Sequence, residues 1–361
     1  MAMASRLRHE YYLGLQHLLS DRNDEAMESF ERALELDSDA IDIHLAVADL
    51  FRRKGDVARA VRVHLNLLER GDLSSRQRQH VRIGLARDYL SSGLLDRAED
   101  ILLQFLNRPE TTNRLEVLSL LADIYEQERD WEKAIDVMSR YLALQDDSGT
   151  RARIAHYHCE IAELALQQKH PSDAQRSWED ALNMKRGMHR ALLARCRWAL
   201  QQSHWRIALR DIKSFRRYNK ERLVEGLSLL LEVYTAIGHR GKLIKLLEDW
   251  YQASQASSIL IARARLMESL DRPVDDFFLA QLKSRPTLKA ASYLLARVGP
   301  GAGGVVADTL TITRRTLDDL TQARPVYLCA NCGFRTRQLH WQCPKCRTWD
   351  SVKPITGLEG E

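Results

Sequence analysis

Apolar and charged residues follow a helical period along most of the chain, and one short phrase recurs within that pattern. The phrase is a turn, a few polar positions and an alanine in a charged helix; its alanines are Ala26, Ala60, Ala98, Ala134, Ala174 and Ala208. Successive alanines are 34, 38, 36, 40 and 34 residues apart. A period of about 34 residues is typical of the tetratricopeptide repeat, a pair of antiparallel helices. The pattern predicts an all-α fold, a superhelix (α-solenoid) of stacked helix pairs.

A second set of small residues supports this prediction. Each stands in the first helix of its pair, before the recurring alanine: Gly14, Ala48, Ala86, Ala122 and Ala162. Small side chains on both helices let the axes approach toward the lower end of the usual range of about 8–10 Å. We therefore expect these positions to be buried within the pairs, with larger apolar residues filling the space between them. A seventh, less regular pair is expected around Leu230 and Trp250.

The remaining sequence predicts three further segments after a repeat solenoid that covers 5–298. A loop and connecting helix are expected at 299–324, a small four-cysteine module at 325–353 and a tail at 354–361. Glycines at 299–304 break the helical pattern, and they lack the Gly-Lys-Ser/Thr ending of a phosphate-binding loop. From Val305 to Ala323 the sequence reads as one more helix.

The module carries four of the six cysteines, in two Cys-x-x-Cys pairs with ten residues between them: Cys329, Cys332, Cys343 and Cys346. Two such turns can direct four sulfurs at one point, which predicts a tetrahedral metal site. Four thiolates suit zinc or a single iron, and the opening of the module is similar to rubredoxins, which hold iron. The alternatives are two disulfides or four free thiols. Gly333 favours a tight turn after the first pair, whereas Arg347 takes the corresponding place after the second.

The module has too few residues to form a core of its own. Metal ligation should therefore supply much of its folding free energy, on the order of 10 kcal/mol for structural zinc. Four aromatic residues flank the cysteines: Tyr327, Phe334, Trp341 and Trp349. They could cap the metal site or dock the module onto the repeats, and docking is the interpretation that we favour.

Composition and motifs argue against catalysis and against nucleic acid. The chain has 54 basic and 49 acidic residues, and the two signs are interspersed. The net charge of +5 therefore does not indicate nucleic-acid binding. The sequence contains none of the common hydrolase, metalloprotease or dinucleotide motifs. His156 and Cys159 share a helix face, but without a third ligand we expect them to serve ordinary packing. We predict that the chain is not an enzyme.

The first helix of each pair should line a concave groove, and such grooves often hold a peptide or helix from a partner. Charged residues at the exposed repeat positions are the candidates for partner binding. They are Asp49, Arg52, Arg53, Arg87, Asp123 and Arg197.

With repeats and cysteine pairs together, the chain resembles the lipopolysaccharide assembly protein B family (LapB, also called YciM) of Gram-negative bacteria. The resemblance covers almost the whole chain, including the repeat phrases at 50–64 and 88–100 and the cysteine segments at 329–334 and 340–349. It implies that the four metal cysteines of the family are Cys329, Cys332, Cys343 and Cys346. The Arg after the last cysteine of the family matches Arg347.

The resemblance also implies a function and a location. Family members are adaptors that restrain lipopolysaccharide synthesis by bringing the deacetylase LpxC to the membrane protease FtsH, and other membrane proteins of the pathway are expected partners. They are anchored by one N-terminal helix, with the repeats on the cytoplasmic face of the inner membrane. No apolar run here approaches the ~18 residues of such a helix, so we expect the anchor to be absent from this sequence. The alternatives are a rubredoxin-type redox or iron sensor and a generic peptide-binding scaffold; a homo-oligomer is possible in each case.

Overall fold

The computed structural model describes residues 2–20, 22–36, 40–106, 113–301 and 303–361. It divides into two compact units, Met1–Thr150 and Arg151–Glu361. The helices of the first unit are α1 (Ala2–Leu19), α2 (Asn23–Leu36), α3 (Ile41–Arg53), α4 (Val57–Glu69), α5 (Ser75–Ser91), α6 (Leu95–Leu106), α7 (Arg114–Glu128) and α8 (Trp131–Leu144).

In the first unit, consecutive helices pack as pairs, and the predicted small residues lie inside them. The alanines of both sets are fully or almost fully buried: Ala26, Ala48, Ala60, Ala86, Ala98, Ala122 and Ala134. Gly14 shows how close the approach is, because a Cβ atom there would lie 2.6 Å from the Phe30 ring. The small positions therefore set the spacing within each pair, as the sequence predicts.

Local hydrogen bonds explain where several of these helices begin. Asp56 and Asp130 accept the backbone N–H groups of Arg59 and Lys133 through their carboxylates. Ser74 forms a reciprocal capping box with Gln77 at the start of α5. Such caps satisfy backbone donors that have no partner inside the helix.

The second unit begins within α9 (Ser148–Gln167). Its further helices are α10 (Pro171–Met184), α11 (His189–Gln201), α12 (Trp205–Tyr218), α13 (Leu227–Ala236), α14 (Arg240–Ser254), α15 (Ser257–Glu268), α16 (Asp275–Ser284), α17 (Leu288–Val298) and α18 (Gly304–Ala323). Two short 3-10 helices span Lys220–Gly226 and Gly299–Gly301. The helix predicted from Val305 to Ala323 is thus confirmed as α18, which packs against α17.

One continuous apolar core runs through the helices of the second unit. Its largest fully buried side chains include Trp178, Phe215, Trp250 and Phe278. Burying an aromatic or aliphatic side chain of this kind contributes about 1.5–3 kcal/mol. The seventh pair expected around Leu230 and Trp250 is present as α13 and α14 and belongs to this core.

A three-stranded antiparallel sheet follows α18. Its strands are β1 (Tyr327–Cys329), β2 (Arg335–Thr336) and β3 (Val352–Pro354), with β1 in the middle. Tyr327 pairs with Thr336 on one side, and Cys329 pairs with Val352 on the other. The sheet thus holds the first cysteine in the middle of the module.

Beyond β3 the chain runs back to the helices. The N–H of Leu288, at the start of α17, donates to the carbonyl oxygen of Leu358 (3.0 Å). The Glu361 carboxylate accepts the backbone N–H of Ser258 (3.0 Å) and its hydroxyl (2.8 Å), and it pairs with Lys289. The last residues are therefore fixed on α15 and α17. None of the helices in the described ranges combines the length and apolar content that crossing a lipid bilayer requires.

Candidate metal centre and its docking site

The two Cys-x-x-Cys turns repeat the same backbone hydrogen bonds. In the first, the Cys329 N–H donates to the carbonyl of Phe334 (2.8 Å), and the Gly333 N–H donates to the carbonyl of Cys329 (3.0 Å). In the second, Cys343 bonds in the same way to Thr348 (3.0 Å) and accepts from Arg347 (2.8 Å). Each turn needs a left-handed residue after its second cysteine. Gly333 takes this left-handed position at φ 70°, and Arg347 takes it at φ 57°. Residues with a side chain adopt this conformation at a cost in energy.

The four thiols converge in the structure. Their sulfur atoms all lie within 4.8 Å of one another. Sγ of Cys329 is 3.7 Å from Sγ of Cys346, and the Cys332 and Cys343 sulfurs are also 3.7 Å apart. These distances are far too long for a disulfide of about 2.05 Å. In a regular tetrahedron with metal–sulfur bonds of about 2.3 Å, the sulfurs are about 3.8 Å apart. The thiols are therefore placed to hold one metal ion.

Polar groups around the sulfurs favour the thiolate form at two of the four positions. The Cys346 sulfur lies 3.3 Å from the Thr348 hydroxyl. Hydrogen bonds from Thr348 and Asn331 lower the pKa of Cys346 to about 5. Burial opposes the ionisation of Cys329, but hydrogen bonds from Ser351 and from backbone N–H groups outweigh it and lower the pKa of that thiol. Such surroundings suit a sulfur that binds a cation.

The four aromatic residues divide between the two predicted roles. Tyr327 and Phe334 pack on the cysteines and Val352 inside the module. Trp349 instead stacks on His156 of α9, with ring centroids 4.7 Å apart and an interplanar angle of 26°. Trp341 lies against His189 of α11, with centroids 5.2 Å apart. Docking onto the helices is thus confirmed for the two tryptophans.

Asp350 is the polar centre of this docking site. The Arg222 guanidinium donates to its carboxylate (2.9 Å) and to its backbone oxygen (2.9 Å). Nε2 of His189 lies 3.0 Å from the carboxylate, and Nζ of Lys185 lies 3.2 Å from it. Burial opposes ionisation, but His189, Arg222 and Lys185 together hold the pKa of Asp350 well below its usual range. Asp350 is therefore an anion that accepts hydrogen bonds from Arg222 and Lys185 and lies close to His189.

Buried ionisable groups surround Asp350. Arg222 also donates to Glu225 (2.7 Å), and burial raises the pKa of Glu225 to about 7. Burial lowers the pKa values of His156 and His189, so the imidazoles beneath the tryptophans are held neutral. The groups that act on His156 are Asp350, Arg190, His189 and Lys185. The packing role expected for His156 is borne out by its full burial.

Arg190 forms a second group of buried ion pairs, beneath Trp341. Its guanidinium binds Glu160 (2.8 Å) and Glu163 (2.8 Å), and its central carbon lies 5.8 Å from the centroid of the Trp341 ring. Only 2% of Arg190 is exposed. The module therefore packs on buried charged side chains that already form ion pairs with one another.

The two cysteines outside the module are core thiols. Cys159 and Cys196 are completely buried, and burial raises the pKa of each to about 12. Thiols of this kind are unreactive. No further group of three or more potential metal ligands occurs among the described residues.

The residues proposed to line a groove have varied surroundings. Arg52 bonds to Asp49 and donates to the buried carboxylate of Asp88 (3.0 Å), which also faces His64. Arg87 pairs with Glu116, and Asp123 is half-buried. Arg53 and Arg197 are exposed. The structure thus brings Asp49 and Arg52 together, and the Arg52 guanidinium forms a hydrogen bond with a buried carboxylate of the first unit.

Sequence reasoning missed Asp350, Arg222 and His189 as a group. Arg222 and Asp350 are 128 residues apart in the chain, and no motif marks either residue. The one available signal was the pair of tryptophans, which suggested docking without identifying the receiving surface.

These features define a class: a helical-repeat protein that carries a docked metal-binding domain of the rubredoxin type. The family models agree with this. Residues 327–354 match a rubredoxin metal binding domain, and residues 11–72 and 117–152 match tetratricopeptide repeats. A solved tetratricopeptide-repeat protein from Thermus thermophilus is 20% identical, with a TM-score of 0.35 over 50% of this chain and 91% of its own.

Two characterised relatives extend over the whole length. Lipopolysaccharide assembly protein B of Escherichia coli K12 is 30% identical over 363 residues, which are 99% of this chain and 92% of that protein. The Haemophilus influenzae protein of the same name is 24% identical over 368 residues, again 99% of this chain and 92% of the relative. The chain belongs to the lipopolysaccharide assembly protein B family.

Proposed function

We propose that the chain is a non-catalytic adaptor that restrains lipopolysaccharide synthesis by delivering the deacetylase LpxC to the membrane protease FtsH. It would act at the cytoplasmic face of the inner membrane. The observation that carries the proposal is full-length similarity to lipopolysaccharide assembly protein B. A repeat fold supports it, because helical-repeat surfaces commonly hold peptides or helices of partner proteins.

The same proposal assigns one metal ion, zinc or iron, to Cys329, Cys332, Cys343 and Cys346. Sulfur separations of 3.7 Å support this assignment. Four protein ligands fill a tetrahedral site and leave no position for a substrate. The metal would therefore fold the module, and the folded module would present Trp341, Trp349 and Asp350 to the helices.

A rubredoxin-type redox or iron sensor is the second candidate. The observation in its favour is the match of residues 327–354 to a rubredoxin metal binding domain. Metal analysis of protein purified without added metal or reductant separates the two cases. Zinc at one ion per chain supports a structural role, whereas iron with reversible one-electron chemistry supports the sensor.

The adaptor proposal is tested by the lifetime of LpxC in cells that carry variants of this protein. Cys329→Ser together with Cys332→Ser should unfold the module and lengthen that lifetime. Cys196→Ser is the matched control, because its thiol lies 3.6 Å from the carbonyl oxygen of Ala208, where a hydroxyl can also donate. This control should leave LpxC turnover unchanged.

Asp350→Asn separates metal binding from docking. This variant should keep its metal ion but lose part of its regulatory effect. Normal LpxC turnover with a metal-free double Cys→Ser variant would contradict the proposal. So would partner capture in which neither LpxC nor FtsH is enriched.

A further inference from the structure

A basic hollow lies beside the docking site and is not explained by docking. It has a volume of about 380 Å³ and is formed by three parts of the second unit. One wall comes from the segment around Lys185 and His189, the second from the end of α12 and the 3-10 helix after it, and the third from Asp350 and Lys353 of the module. The hollow therefore exists in this form only when the module is docked.

The charges that line the hollow are strongly unbalanced. Five basic side chains face two carboxylates, which leaves three positive charges in excess; the basic residues are Lys185, Arg217, Lys220, Arg222 and Lys353. The two carboxylates, Asp350 and Glu221, are already held by Lys185 and Arg222 and by Lys353. Within the described residues, Arg217 and Lys220 form no ion pair. No carboxylate of the hollow offsets these two charges; the Arg217 guanidinium lies 5.4 Å from the centroid of the Tyr218 ring.

The backbone that forms the hollow is held by contacts within the protein, whereas the Arg217 and Lys220 side chains are exposed. The Asn219 side chain donates to the carbonyl of Gly187 (2.9 Å) and of Phe215 (3.3 Å), which ties the end of α12 to the loop before α11. Gly187, at φ 77°, leaves room for Tyr218, because a Cβ atom there would lie 2.3 Å from the Cβ of Tyr218. Arg222 is held by Glu225 and Asp350. A backbone that is already fixed reduces the conformational freedom that is lost when a ligand binds.

The chemistry of the lining selects the class of ligand. Arginine forks and lysine ammonium groups are the side chains that bind phosphate oxygens best. The volume falls at the small end of the range for ligand pockets, about 300–1,000 Å³, so it suits a small anion rather than a folded segment of a partner. Tyr218, 47% exposed, offers an aromatic face beside the positive charges. A phosphate monoester brings close to two negative charges and a short organic group at neutral pH.

We infer that the hollow between Arg217, Lys220 and Lys353 binds a phosphate monoester, either as a free small molecule or as the head group of a lipid. Arg217 and Lys220 would contact the phosphate from the helical side, and Lys353 would contact it from the module. The site contains none of the four cysteines and does not depend on the adaptor role, although its third wall requires the folded and docked module.

Glycerol 3-phosphate and vesicles provide the probes, with the metal-loaded, full-length chain as the receptor. Titration calorimetry measures binding of glycerol 3-phosphate. Flotation with phosphatidylcholine vesicles, with and without phosphatidic acid, measures binding to the same chemical group on a membrane. The test variant is Arg217→Gln with Lys220→Gln, and Lys353→Gln tests the module side. The matched control is Lys242→Gln with Lys245→Gln, which removes two exposed charges of α14.

The test variant should weaken binding at least about tenfold, since two charge-assisted contacts are lost. Lys353→Gln should also weaken it, and the control should match the wild type. Binding of the free ester alone identifies a soluble ligand, whereas binding only to phosphatidic acid identifies a lipid. Circular dichroism confirms that each variant is folded. No binding to either probe overturns the inference. So does an equal loss in test and control variants.

Discussion

Replacing Asp350 by Asn should weaken the docking of the module on the helices while leaving the backbone unchanged. Asp350 has φ 60°, a left-handed conformation that Asn tolerates as well as Asp does. The change therefore removes a charge and little else. Arg222, of which 6% is exposed, then keeps Glu225 but loses the carboxylate of Asp350. Lys185 and His189 lose the same partner.

The magnitude follows from the contacts that are lost. A hydrogen bond to a charged group contributes about 1.5–3 kcal/mol, and breaking one side of a buried ion pair costs about 3–5 kcal/mol. The Asp350 side chain is 26% exposed, and Asn can still accept one hydrogen bond. We therefore expect a docking free energy that is weaker by about 2–4 kcal/mol.

Hydrogen exchange measures this directly, because α9 and α11 are covered by Trp349 and Trp341. Exchange in these two helices should accelerate in Asp350→Asn while the metal content stays at the wild-type level. The control is Glu221→Gln, whose carboxylate is 79% exposed and pairs with Lys353; surface pairs of this kind contribute little. Equal protection in both variants would refute the docking role of Asp350.

Three further changes test other parts of the structure. Burial lowers the pKa of His156 below 6.5. The contribution of the buried imidazole to the free energy of unfolding is therefore full above pH 6.5 and is lost as the pH falls below that value. In His156→Phe, thermal unfolding should depend less on pH between 7 and 5. Gly84→Ala should lower the free energy of chemical unfolding by about 1–3 kcal/mol, because its Cβ would lie 2.3 Å from Nε2 of His64. Gly71→Ala, with open space around it, should not destabilise the protein. Equal effects of the two changes would contradict this packing. Arg347→Gly should remove the strain of a left-handed backbone conformation and slow metal release to a chelator by up to about tenfold. Faster release would show that Arg347 is not strained.

Much of the fold could be predicted because its causes are local. Helix pairs need small residues where their axes approach, so the period of the repeat can be read directly from Ala26, Ala60 and their counterparts. Cysteine pairs two residues apart can bring sulfurs together through a single turn, so the four ligands could be named from their spacing alone.

The docking site could not be predicted in this way. Asp350 and Arg222 are separated in the chain by six helices, α13 to α18, and neither residue differs in sequence from an ordinary surface charge. The same limitation applies to Arg52. Its repeat position indicates an exposed groove residue, but Asp88 of the next pair draws its guanidinium toward the interior. Spacing within a helix predicts which face a residue occupies, and long-range partners decide whether that face stays free.

The fixed position of Glu361 changes how the module can separate from the helices. The module is attached at two places: by its tryptophans and Asp350 on α9, α11 and the 3-10 helix, and by its final residues on α15 and α17. When one attachment opens, the other keeps the separated groups at a high effective concentration, which favours re-formation of the broken contact. A partner that displaces the module must therefore overcome both attachments, as with any bivalent ligand.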